Sequence, residues 1–191
     1  MERGDTDYHR SKLESEDIVR AFEGSWTIVR VGAVIGPGDE TVSVLLRMIR
    51  MLPAVPVIGD ADQPFQPVWH EDVAAALAEC INRDDVAGRV LNVTGPEVLT
   101  VRETIELFSE ITDRNPVRLP LPGFLARVGS SLASAMGIET PVSAATVQML
   151  LEGNYLRDGE TNDMVSTLGI SPEPIRSRLI ELADALPEQT P

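Results

Sequence analysis

The stretch Thr27-Ile28-Val29-Arg30-Val31-Gly32-Ala33-Val34-Ile35 followed by Gly36-Pro37-Gly38-Asp39 decides the fold class. Nine residues rich in β-branched side chains read as one buried strand, and the Gly-Pro-Gly-Asp run that ends it is a strong turn into a loop. Upstream, the polar stretch from Tyr8 to Phe22 carries Leu13, Ile18, Val19 and Phe22 near helical spacing, with Gly24 as its stop. Downstream, Thr41 is placed to cap a helix reaching about Leu52, with Met48, Met51 and Leu52 assigned to the core. Helix, strand, helix in this order is the pattern of an α/β protein.

The alternation continues. Val55 to Asp60 reads as a short strand with a turn, and His70 to Ile81 as a helix whose first turn holds Glu71 and Asp72, where the helix dipole favours anions. Arg89 to Thr94 is a second buried strand. Thr100-Val101-Arg102-Glu103 fits a capping box ahead of the apolar positions Ile105, Leu107, Phe108 and Ile111. Beyond Pro116 the pattern changes: Pro120 and Pro122 break the chain before a helix of small residues from about Gly123 to Met136. Ser143 to Leu151 and Ile175 to Leu186 read as further helices, separated by a polar connection from Asn154 to Glu160, so the last third is expected to be mostly helical.

With 191 residues, 43% of them hydrophobic, the chain can bury a core as a single globular unit. A net charge of −14 repels phosphate backbones and anionic headgroups, which leaves small molecules and other proteins as partners and speaks against nucleic acid. No apolar run reaches the roughly 18 residues of a spanning helix, and the start lacks the basic-then-apolar order of a signal peptide, so no membrane insertion and a cytoplasmic location are expected. Cys80 has no second cysteine to pair with, and with only His9 and His70 beside it no metal cage is expected.

The candidate chemistry lies in Tyr8-His9-Arg10-Ser11-Lys12, which puts a phenol and an ammonium on one helix face. A cation near a phenol favours the phenolate, lowering its pKa from about 10 and letting Tyr8 exchange protons with an alcohol or carbonyl. The chain holds 15 arginines and one lysine, and that lysine is Lys12. A lysine placed at random would fall four residues from a tyrosine about once in a hundred placements. A compact ammonium fits between a phenol and two hydroxyls where a planar guanidinium does not.

Taken in order, these segments resemble the extended short-chain dehydrogenases, the NAD-dependent epimerase/dehydratase family. Tyr8-x-x-x-Lys12 resembles the catalytic helix, and Thr27 to Arg30 with Gly36 to Asp39 the strand and loop that pass the nicotinamide. Val57 to Asp60, then Pro67-Val68-Trp69-His70-Glu71-Asp72-Val73-Ala74, resembles the segment returning from the substrate region. Leu91 to Glu97 with Leu99-Thr100 resembles the next strand and helix cap, and the Pro120-Leu121-Pro122 segment with its helical tail is most similar to the branch related to a complex I accessory subunit.

The resemblance implies a Rossmann-like α/β fold, with residues 1–115 a remnant of the NAD(P)-binding domain and 116–191 a mostly helical substrate or lid region. It implies catalytic roles for Tyr8 and Lys12, Lys12 also holding the ribose, and a nicotinamide bordered by the backbone of Arg30, Val31, Gly32, Ala33 and Val34. The substrate it implies is a nucleotide sugar or related carbonyl. The family's opening strand and Gly-x-x-Gly-x-x-Gly phosphate turn are not in this sequence, so NAD or NADP is expected to bind weakly or not at all. Val31 and His70 also depart from the family pattern. Either a longer chain is cut at an internal methionine, or a short form is covered by another chain along its exposed sheet edge. In both cases a homo-oligomer is expected, and the alternative to an oxidoreductase is a non-catalytic assembly or binding subunit.

Overall fold

The computed structural model describes residues 7–39, 41–126, 128 and 154–185. Helix α1 (Asp7–Arg20) leads to strand β1 (Thr27–Val31), which pairs in parallel with β6 (Arg89–Val93) so that Ile28 lies opposite Val90 and Arg30 opposite Asn92. The single strand expected over residues 27–35 is in fact two. At Gly32 the chain leaves β6, and β2 (Ala33–Ile35) pairs in parallel with β5 (Pro67–Trp69). The Gly32 N–H still donates to the Val93 carbonyl at 2.9 Å. A Cβ at Gly32 would meet the Gln66 carbonyl oxygen at 2.7 Å, so the approach of the β5 lead-in sets where the strand changes partner.

Helix α2 (Val42–Met51) begins as expected, but Thr41 does not cap it. The Asp39 carboxylate does so instead, accepting from the N–H groups of Thr41 at 2.9 Å and Val42 at 2.6 Å and from the Ser43 hydroxyl at 2.6 Å. An anion at the positive end of the helix binds its orphan donors more strongly than a hydroxyl does. Met51 and Leu52, assigned to the core by sequence, are exposed. Val42, Leu46 and Ile49 recur at i, i+4 and i+7 and occupy the inner face, which rotates Met51 outward.

Strand β3 (Ala54–Ile58) pairs in parallel with β8 (Val117–Leu121), a strand that the prolines of this segment concealed. Among the described residues this ladder has only two strands, so the absent N–H groups of Pro56 and Pro120 can face an open edge. A short antiparallel pair joins β4 (Pro64–Phe65) to β7 (Leu99–Thr100). Helix α3 (His70–Ile81) has the bounds read from sequence, and α4 (Val101–Thr112) opens with the expected capping box: the Glu103 N–H donates to Thr100 Oγ1 at 3.1 Å, and the Thr100 N–H to Glu103 Oε2 at 2.8 Å.

Helices α5 (Asp163–Ser166) and α6 (Ile175–Ala185) follow, the second held by Glu97 Oε2, which accepts from the Ile175 N–H at 2.8 Å. Residues 123–126 and 128 are helical, while most of the helix expected over 123–136 and all of that over 143–151 lie outside the described residues. One apolar cluster joins α2, α4 and α6 through Leu46, Ile105, Phe108 and Leu179, with Val55 and Trp69 beneath them. A second packs Ala76 of α3 against Leu91 and Val93 of β6, with Met164 and Leu168 closing it. The outer edge of β6 is finished by side chains: Asp163 Oδ2 accepts from the Asn92 N–H at 2.8 Å, and Asn162 Nδ2 donates to the Thr94 carbonyl at 2.7 Å.

Candidate cofactor-facing site

Helix α1 is polar almost throughout, and its stability leans on charge pairs such as Glu16 to Arg20 at 2.8 Å, in the favourable acid-before-base order. Tyr8 stands in its first turn and Lys12, exposed, one turn further on; the Tyr8 side chain lies outside the described residues. The apolar residues that sequence spacing placed along this helix do not form a buried face: Ile18 is 74% and Phe22 62% exposed.

What fastens α1 to the sheet is an ion pair. Arg30 Nε and Nη2 donate to Glu16 Oε1 and Oε2, both at 2.7 Å, with the two side chains only 17% and 13% exposed. This is the bidentate fork geometry that makes arginine–carboxylate pairs strong. The Arg30 guanidinium, helped by Arg20, holds the Glu16 carboxyl below the usual carboxylate range despite its partial burial. Along β1, side chains alternate in direction, so Ile28 and Arg30 share the α1 face while Val29 and Val31 pack into the cluster beside α3.

The remaining residues expected at the nicotinamide run from the end of β1 into β2. Arg30 and Val31 belong to the β1–β6 ladder, Gly32 is the point of departure, and Ala33 and Val34 belong to the β2–β5 ladder, with Val34 exposed. The structure therefore joins Tyr8 and Lys12 on one helix, and joins that helix to Arg30 through Glu16. Sequence reasoning passed over Glu16, although its position four residues after Lys12 is itself a signal. It also passed over Asn92 and Thr94, whose side-chain oxygens are buried beside the strand exchange and find no hydrogen-bond partner among the described residues.

Trp69 and His70 belong to packing. The Trp69 indole is buried, donates to Glu71 Oε2 at 3.1 Å and stacks on His70 with ring centroids 4.7 Å apart, while the Arg178 guanidinium lies 5.5 Å from its ring centre. The His70 ring fills the space over Gly36, where a Cβ would come within 1.9 Å of its Cδ2. Cys80 is half-buried, and burial pushes its thiol pKa up, the opposite of a reactive cysteine. Among the described residues no three His, Cys, Asp or Glu side chains gather as metal ligands, and no helix is long and apolar enough to cross a membrane.

No family model matches the chain. The NADH dehydrogenase [ubiquinone] 1 alpha subcomplex subunit 9, mitochondrial, of Arabidopsis thaliana is 30% identical over 116 residues, 59% of this chain and 29% of that protein. The ceramide reductase of Caulobacter vibrioides is 32% identical over 123 residues, 63% of this chain and 38% of that protein. The chain thus spans well under half the length of these curated relatives. Among solved structures, the UDP-glucuronic acid 4-epimerase of Bacillus cereus in complex with UDP-glucuronic acid and NAD superposes with a TM-score of 0.68 at 16% identity, over 93% of this chain and 51% of that one, a likeness of fold. In sequence the chain is similar to these two proteins over part of their length, and in fold it is a portion of the Rossmann-like α/β architecture that the solved epimerase displays.

Proposed function

We propose that this chain carries the proton-handling part of an NAD(P)-dependent site of the short-chain dehydrogenase/reductase type, directed at a nucleotide sugar or a related carbonyl substrate. The observation that supports the reading is the placement of Tyr8 and Lys12 one turn apart on a helix that Glu16 and Arg30 tie to the end of β1. In this reading Tyr8 exchanges a proton with the substrate oxygen, Lys12 holds the ribose and favours the phenolate, and the backbone from Arg30 to Val34 borders the nicotinamide. Asn92 and Thr94, with buried oxygens unpaired among the described residues, supply further polar groups beside the same strand ends.

A phosphate-binding glycine turn is not in this sequence, so in this reading the chain by itself holds NAD(H) or NADP(H) only weakly. Its compartment in this reading is the cytoplasm. A second reading, a non-catalytic assembly or binding subunit, draws on the similarity to a subunit of NADH dehydrogenase.

Saturation-transfer NMR with NAD⁺ separates the two. The first reading expects weak contact at the ribose protons, lost in Lys12→Met and kept in Tyr8→Phe. Identical spectra from wild type and Lys12→Met overturn it in favour of the second.

A further inference from the structure

Glu16 follows Lys12 by four residues and Tyr8 by eight, so the three share one side of α1. A carboxylate one turn from a lysine attracts its ammonium, and here that attraction would pull Lys12 towards the C-terminal end of the helix, opposite to Tyr8. Glu16, however, is engaged elsewhere: Arg30 takes one carboxylate oxygen with Nε and the other with Nη2, and Arg20 adds a contact to Oε2 at 2.8 Å.

We infer that Arg30 is a positioning residue, which by forking both oxygens of Glu16 keeps that carboxylate from drawing the Lys12 ammonium away from Tyr8. The inference rests on the proposed pairing of Tyr8 with Lys12. A guanidinium suits the task because its planar fork meets both oxygens at once, where an ammonium acts as a point charge and leaves one available. Arg30 also rises from a strand rather than a loop, fixed in register opposite Asn92, so the fork is presented from a rigid element. The competition is unequal: a bidentate pair with both side chains mostly buried outweighs an attraction along an exposed helix face.

The single lysine allows a direct test. Reductive ¹³C-methylation labels Lys12 and the chain's amino terminus only, and nuclear Overhauser contacts from the Lys12 methyls report which neighbour they approach. Wild type is expected to show contacts to the Tyr8 ring. In Arg30→Met their intensity relative to contacts with the Glu16 side chain should fall about twofold, the size of a one-turn ion-pair effect. Adding Glu16→Gln to Arg30→Met should restore the Tyr8 contacts, a rescue that mere loosening of the helix does not permit, because the fork is still gone.

An unchanged ratio in Arg30→Met, or no rescue in the double variant, overturns the inference while the Tyr8–Lys12 pairing stands. Absence of Tyr8 contacts in wild type overturns both. Should Arg30→Met fail to fold, Arg30→Gln replaces it, keeping a planar polar side chain without the charged fork and adding no second lysine: a weakened Tyr8 contact supports the inference and an unchanged one overturns it.

Discussion

Replacing Gly95 with alanine strikes at the point where the ladders meet. A Cβ there would stand 1.9 Å from the Pro67 carbonyl oxygen and 3.0 Å from its carbon, both backbone atoms that no side-chain rotation can clear. Relief needs a displacement of more than 1 Å, about the shortfall from a normal carbon–oxygen contact. Pro67 is paired with Ala33 in the β2–β5 ladder, and the Gly95 carbonyl accepts from buried Gln66 Nε2 at 2.8 Å, so the movement strains one ladder and breaks a buried hydrogen bond. Overpacking at about 1–3 kcal/mol and a lost buried bond at about 1 kcal/mol together give roughly 3 kcal/mol. For a chain of this size that lowers Tm by about 6–12 °C. Gly88→Ala is the comparison, since its φ of 74° strains any side chain but nothing lies within 4 Å of the added carbon; it should cost about 1 kcal/mol, or roughly 2–4 °C. Thermal unfolding followed by circular dichroism measures both. A Gly95→Ala loss no larger than that of Gly88→Ala would refute the reasoning.

Three further outcomes are expected. The Glu16 carboxyl, held below its ordinary value of 4.5 by Arg30, contributes stability that is complete above that value and fades as pH falls through its folded pKa; urea unfolding of wild type and Glu16→Gln should therefore differ at pH 6 and converge at strongly acid pH. Cys80, half-buried with its thiol pushed up, should react with a maleimide at neutral pH several-fold more slowly than free cysteine, and labelling at the free-thiol rate contradicts the burial seen here. The apolar side chains exposed on α1 and the edge of β1 should drive self-association, so light scattering at tens of micromolar is expected to report more than a monomer.

The elements with complete local signals were legible in the sequence. The capping box at Thr100 and Glu103 is a short-range pattern that closes on itself, and the helix from His70 to Ile81 carries its own apolar face and first-turn acids. The break at Gly32 was not legible, because what divides β1 from β2 is the Gln66 carbonyl, more than thirty residues away in sequence. Strand β8 was hidden by Pro120, whose penalty depends on whether a neighbour strand needs its N–H. The cap of α2 was not legible, because spacing points to Thr41 and cannot say that the turn aims the Asp39 carboxylate at the helix instead. At the candidate site, the spacing of Tyr8 and Lys12 on one helix was legible, whereas Glu16 gained its meaning only when β1 brought Arg30 beneath it.

The side chains that finish β6 make the sheet one-sided. Asn162 and Asp163 occupy the backbone groups at the edge where another strand would add, while among the described residues β1 pairs with β6 alone. A fibre needs two receptive edges per molecule, one to give and one to take. With the β6 edge stoppered, any strand that joins this ladder would have to add at β1, where a second copy could pair only about a two-fold axis. Asparagine and aspartate at the start of a four-residue helix thus act as a stopper for this ladder, closing its β6 side to a further strand.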